Sequence, residues 1–105
     1  MSRVFELILM SYKLEFKASA LKEWQKLGAT LQQQFKKKLK ERLINPHVPA
    51  AQLFGAEQMY KIKLRQSGYR LVYQVENDVL IVTVLAVGKR ERNEVYRKAL
   101  RRLDS

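Results

Sequence analysis

Residues 60–75, YKIKLRQSGYRLVYQV, alternate apolar and polar side chains through their first half. Successive side chains of an extended chain point to opposite faces. Tyr60, Ile62 and Leu64 therefore share one face, and Lys61, Lys63 and Arg65 share the other. Ser67-Gly68 is a turn signal that folds the segment into a hairpin. With an even loop, either Ser67-Gly68 or Arg65 to Gly68, Leu71, Tyr73 and Val75 join the apolar face and Arg70 joins the lysines. An odd loop would set the aromatics beside the lysines, a slip that a buried face disfavours. The pattern predicts a plate that is apolar beneath and cationic above.

The rest of the chain supplies what covers that plate. Tyr12 to Phe16 alternates and predicts a short strand. From Ser19 the period becomes helical, with Leu21, Trp24 and Leu27 on one stripe and Gly28 placed to end the helix. Thr30 and Gln33 form a capping-box pattern that opens a second helix, and Pro46 closes it. Leu31, Phe35, Leu39 and Leu43 form its buried stripe, while Lys36, Lys37, Lys38, Lys40 and Arg42 fall outside. Asn45 to Gln58 reads as a loop. Asn77-Asp78 marks a second hairpin turn, and Val79 to Val87, apolar on both faces, an inner strand broken by Gly88. The tail GKRERNEVYRKALRRL returns to helical spacing, with Val95, Tyr96, Ala99, Leu100 and Leu103 on one side. This is an α+β fold: strand, two helices, an antiparallel three-strand meander and a C-terminal helix. Residues 1–10 read as an N-terminal extension consistent with an upstream start, and residues 11–105 as one domain.

Charge narrows the function. Twenty-one Lys+Arg against ten Asp+Glu give a net +11 over 105 residues, which points to a polyanion, nucleic acid first. Without cysteine there is no thiolate chemistry, and a reducing cytoplasm is the default compartment. A single histidine leaves no zinc site. No apolar run approaches the length of a membrane span, and no signal-peptide cleavage pattern follows MSRVFELILM.

Metal-free RNA cleavage by the ribose 2′-hydroxyl needs a base, cations for the developing phosphoryl charge, and an acid for the leaving oxygen. His47, in a proline-flanked loop, reads as solvated, and paired carboxylates are missing from the cationic hairpin. A nuclease built from this chain must use Lys, Arg and Tyr. Neighbouring cations disfavour the charged form of a lysine and so make it a better base. Lys61, Lys63, Arg65 and Arg70 supply such a neighbourhood, and Lys89, Arg90, Arg92 and Tyr96 follow the inner strand. Plainer readings stand beside these: solvated edge lysines, a surface Arg90, a core Tyr96, and a solvated Lys36–Lys38 run.

LKEWQKLG in the first helix, YKIKLRQSGYRLVYQV in the hairpin and VGKRERNEVY in the tail together resemble the RelE toxins of bacterial type II toxin–antitoxin pairs, over roughly residues 11–103. The resemblance implies a fold akin to microbial ribonucleases and a ribosome-dependent mRNA endonuclease that cuts codons in the A site without cofactor or metal. It implies Lys61 as base, Arg70 and Arg90 as transition-state clamps, Lys63 as charge support, and Tyr96 as a residue that orients or stacks on substrate. Lys36, Lys37, Lys38, Arg65, Lys89 and Arg92 become candidate contacts to RNA or ribosome. The implied partners are a RelB-type antitoxin, the 70S ribosome and mRNA, with operator DNA bound only by the toxin–antitoxin complex. The antitoxin is expected to cover the cationic face or displace the final helix. The basic residue that family members often carry before the glycine at Gly55 is Phe54 here. Sister toxins of the same fold poison DNA gyrase, so a non-catalytic inhibitor is the alternative; a plain nucleic-acid-binding module is a third reading.

Overall fold

A computed structural model describes residues 11–53, 56–89, 91 and 93–103. The order is β1 (Lys13–Phe16), α1 (Ala18–Gln25), α2 (Ala29–Ile44), a 3-10 turn (Pro49–Ala51), β2 (Met59–Leu64), β3 (Tyr69–Glu76), β4 (Ile81–Lys89) and α3 (Glu94–Arg102). The strands form one sheet in the order β1-β4-β3-β2. β1 runs parallel to β4, and the other pairs are antiparallel. The α+β succession read from the sequence is therefore the one observed, with β4 as an inner strand.

The cationic hairpin takes the even register. Leu64 pairs with Tyr69, leaving the four-residue loop Arg65 to Gly68. Gly68 sits at φ +79°, a backbone conformation that glycine adopts without steric cost. Tyr60, Ile62, Leu64, Leu71, Tyr73 and Val75 then fall together on one face, where Ala20 of α1 and Phe35 and Leu39 of α2 cover them. Trp24 is half-buried, its ring 5.5 Å from Phe16 and 6.2 Å from Phe35. Each large side chain fully buried here contributes about 1.5–3 kcal/mol.

The opposite face is not purely cationic. Met59, Val72, Leu85 and Ala86 form a second core under Val95 and Ala99 of α3. A bulge makes this possible: Val72 pairs with Ala86 while Tyr73 pairs with Val84, so Leu85 is the extra residue. Leu85 and Ala86 both serve the second core, whereas Val84 and Val87 serve the first. The helix covers one half of this face and leaves the end bearing Lys61, Lys63 and Arg70.

Several local expectations are corrected. Gly28 does not terminate α1, which ends at Gln25; it is the N-cap of α2, with extended backbone. Thr30 lies inside that helix, so the capping box does not form, and the Gln32 side-chain amide instead donates to the Trp24 carbonyl at 2.9 Å. Val79 and Leu80 belong to the second hairpin turn and are 58% and 43% exposed, because Glu76 pairs with Ile81 and closes a four-residue loop. Gly88 does not break β4, which continues to Lys89. Leu100 is 49% exposed, off the buried side of α3. His47 is half-buried rather than solvated, in edge contact with Tyr12 and Tyr60. The extension at residues 1–10 and the Phe54–Gly55 pair lie outside the described residues. Among the described residues, no helix is long and apolar enough to cross a membrane.

Candidate active site and nucleic-acid interface

Pairing fixes one row across three strands: Lys63 lies opposite Arg70, and Arg70 opposite Gly88. Lys61 stands in the adjacent row with Val72 and Ala86. Directly opposed side chains sit about 5 Å apart and diagonal ones about 7–8 Å, so Lys61, Lys63 and Arg70 converge on one patch. Like charges directly opposite one another destabilise a sheet. An anion laid across the row would be drawn to both cations.

Arg70 is the most informative residue of the group. It is only 8% exposed. Its Nη1 donates to the Tyr69 carbonyl at 3.2 Å, but its Nε is buried without a hydrogen-bond partner among the described residues. Leaving a buried charged donor unsatisfied costs on the order of 1–3 kcal/mol. Beside it, Gly88 presents no side chain, and a Cβ built there would meet nothing within 4 Å. An enclosed guanidinium next to open space is a receptor for a planar or tetrahedral oxyanion.

Lys61 is half-buried and anchored from behind. Arg42 Nη1 donates to the Lys61 carbonyl at 3.1 Å and to Tyr73 Oη at 2.9 Å. Tyr73 Oη donates in turn to the Pro46 carbonyl at 2.7 Å. The Tyr60 and Tyr73 rings stack at 5.6 Å, with the Arg42 guanidinium 5.7 Å from the Tyr73 centroid. Burial pushes the Tyr73 hydroxyl above its ordinary pKa of 10.0, against the opposing pull of Arg42. Arg42 thus leaves the outer helical face assigned to it from sequence. The signal was present: it lies seven residues after Phe35 and three after Leu39, on the buried stripe.

A groove of about 680 Å³ runs between α2 and the β2–β3 loop, lined by Lys37, Lys38, Lys63 and Arg65 among others, with Glu41 as its one acid. It brings two of the helix lysines and Arg65 to the rim of the cationic patch, while Lys36 is exposed but off the groove. Lys89 pairs with Tyr69, which packs on the first face. Alternation therefore turns it away from Arg70. Tyr96 is half-buried against the second core. Arg90 and Arg92 lie outside the described residues.

Sequence reasoning also passed over Glu23. Burial works to raise its pKa, but bonds from Arg102 and the Val87 N–H, with the charges of Arg102 and Lys98, more than offset this and hold it below the ordinary 4.5.

The sequence and the fold have known counterparts. Residues 14–94 match the family model described as the ParE toxin of the type II toxin–antitoxin system, parDE. The chain is 55% identical over 94 residues to the mRNA interferase toxin RelE of Escherichia coli strain K12, covering 90% of this chain and 99% of that one. It superposes on a free-state double mutant of E. coli RelE with a TM-score of 0.83 at 53% identity, covering 90% and 99% of the two chains. The toxin in the intact E. coli RelBE toxin–antitoxin complex matches with a TM-score of 0.76 at 55% identity, over 78% and 100%. The chain belongs to the RelE/ParE family of type II toxins.

Proposed function

We propose that this toxin is an mRNA interferase that cleaves messenger RNA in the ribosomal A site, through attack of a ribose 2′-hydroxyl on the adjacent phosphate, forming a 2′,3′-cyclic phosphate as the bond to the 5′-oxygen breaks and that oxygen takes a proton from water. The carrying observation is Arg70, buried with an unpartnered Nε beside Gly88 and opposite Lys63. In this reading Arg70 and Arg90 bind the non-bridging phosphoryl oxygens as their charge grows. Lys61 takes the 2′-proton, its backbone held by Arg42 so that the amine projects from a fixed point. Lys63 adds charge, and Tyr96 orients the nucleotide. Glu91 and Glu94 line the cavity at Gly88, and Glu41 lines the groove with Lys63. Much of the rate comes from positioning, which ribosome-bound mRNA in a bent, near-attack geometry supplies. Lys37, Lys38 and Arg65 extend the cationic track along the groove toward rRNA.

The 55%-identical relative is named an mRNA interferase, which supports this reading. A RelB-type antitoxin is the expected neutralising partner, given the toxin–antitoxin complex formed by a 55%-identical structural relative. That antitoxin would cover the cationic face or displace α3, and operator DNA would be bound by the complex rather than by the toxin alone. Residues 1–10 are read as dispensable for folding, so their removal should leave the melting temperature unchanged.

The deciding experiment incubates purified protein with mRNA, with and without programmed ribosomes, and maps the ends. Discrete breaks within the A-site codon are expected only with ribosomes, and a 2′-deoxy substitution at the cleaved nucleotide should abolish them. Cutting of the deoxy substrate would refute in-line attack. The family model's ParE description favours keeping one second reading, gyrase inhibition. Intact messages together with a supercoiling defect after induction would select it.

A further inference from the structure

β1 pairs with β4 only from Ile81 to Val84, so the distal half of β4, which leads to Gly88, has β3 on one side and no strand on the other. Two side chains occupy that edge instead. Glu23 Oε1, from α1, accepts the Val87 N–H at 3.0 Å. Arg102 Nη1, from the last turn of α3, donates to the Leu85 carbonyl at 2.9 Å. The two are joined in a fork, with Arg102 Nη1 at 2.9 Å from Glu23 Oε1 and Nη2 at 3.1 Å from Oε2. Lys98 Nζ, one helical turn earlier, lies 3.5 Å from Oε2. One carboxylate therefore touches α1, the bulged segment of β4 and two successive turns of α3.

This junction is placed where it can govern catalysis. α3 buries only Val95 and Ala99 fully, a thin apolar seat for a nine-residue helix, so the polar fork carries an unusual share of its attachment. The same helix carries Tyr96 against the second core, and the same strand carries Gly88 opposite Arg70. Paired charge-assisted bonds are directional as well as strong. They fix both the lateral position and the rotation of the helix.

We infer that Glu23 is a positioning residue for the ribonuclease reaction: by clasping Arg102 and the Val87 amide it sets where Tyr96 stands relative to the Lys63–Arg70–Gly88 row. The inference rests on the nuclease reading above. It predicts that loss of the clasp lowers the cleavage rate without weakening substrate binding, because the groove and the cationic row are untouched. Misplacement by about 1 Å can cost on the order of 10²-fold in rate.

The test is single-turnover cleavage of mRNA on programmed ribosomes by the full chain, with Glu23→Ala, Glu23→Gln, Tyr96→Ala and the Glu23→Ala/Tyr96→Ala pair. Each is assayed at a temperature where circular dichroism shows it folded. For Glu23→Ala we expect a fall of about 10–100-fold in the rate at saturation, with the half-saturating ribosome concentration essentially unchanged. Glu23→Gln keeps an acceptor for the Val87 N–H and a partner for Arg102, and should recover part of the loss. In the Tyr96→Ala background, Glu23→Ala should cost almost nothing further. The inference is overturned by folded Glu23 variants that cut at the wild-type rate, by a loss confined to the half-saturating concentration, or by effects of the two substitutions that multiply. Should Glu23→Ala not fold, Glu23→Gln alone and paired with Tyr96→Ala carries the same comparison. A wild-type protein that cuts nothing defeats the nuclease reading itself, an outcome distinct from all of these.

Discussion

Replacing Arg70 by methionine should make this protein more stable and nearly inactive. Arg70 is 8% exposed, its Nε lacks a partner among the described residues and Lys63 stands directly opposite. Removing the unsatisfied charged donor relieves on the order of 1–3 kcal/mol. Removing the facing like charge relieves about 0.2–1 kcal/mol more. Against this stands the lost bond from Nη1 to the Tyr69 carbonyl, worth about 0.5–1.5 kcal/mol. Methionine fills the volume of the aliphatic stem, so no large cavity opens. The balance is a gain of about 1–2 kcal/mol, which for a domain of this size raises the melting temperature by about 4–8 °C per kcal/mol. Cleavage should fall by at least about 10²-fold, as for loss of one transition-state donor. The assays are thermal unfolding at low ionic strength and ribosome-programmed cleavage on the same preparation. A fall of several degrees in the melting temperature would show that Arg70 holds the fold together, and the argument that it waits for an anion would be wrong.

Three further outcomes follow from other parts of the molecule. Gly88→Ala should fold within about 1 kcal/mol of wild type, since the new methyl meets no atom within 4 Å, yet cut slowly because that methyl intrudes on the space beside Arg70; full activity would deny that space a role. The folded pKa of Glu23 lies below 4.5, so its stabilisation is present above pH 4.5 and lost as pH falls through the depressed value. Urea unfolding of wild type and Glu23→Gln should therefore differ by about 1–3 kcal/mol at neutral pH and converge in strong acid, and a gap independent of pH would contradict the fork. Replacing Lys37 and Lys38 together by alanine should leave the melting temperature unchanged and reduce the salt slope of ribosome binding by about 1–2, at roughly 0.7–0.9 per phosphate contact; an unaltered slope would place RNA outside the groove.

The hairpin was legible in the sequence because strand periodicity is strict. Once Tyr60, Ile62 and Leu64 are assigned to one face, only an even loop keeps Tyr73 and Leu71 with them, and the structure obeys. The helical stripe through Phe35 and Leu39 was equally readable. What local pattern hides is partnership across long separations. Glu23 meets Val87 and Arg102, 64 and 79 residues away, and nothing in LKEWQKLG distinguishes it from a surface acid. Arg42 sits in a lysine-rich helix whose charge masked its place on the buried stripe. The burial of Arg70 depends in part on β4, which follows it in the chain. Gly28 and Gly88 misled for a different reason: glycine reads as a stop signal, yet here it opens a helix and lies within a strand. Val79 and Leu80 were drawn into the strand by hydrophobicity, although the turn and not the core receives them.

The extra residue at Leu85 makes the outward or inward aim of everything after it a matter of counting. Side-chain direction in β4 shifts phase once between Val84 and Val87, so Gly88 rather than Val87 comes to flank Arg70. Many apolar residues could replace Leu85 at modest cost to packing. Deleting it would close the bulge into a regular ladder, with Val84 still beside Tyr73, Ala86 beside Val72 and Gly88 beside Arg70, so the anion's berth would survive. A single-residue deletion at the bulge therefore keeps the cationic row and costs only the place of Leu85 in the second core.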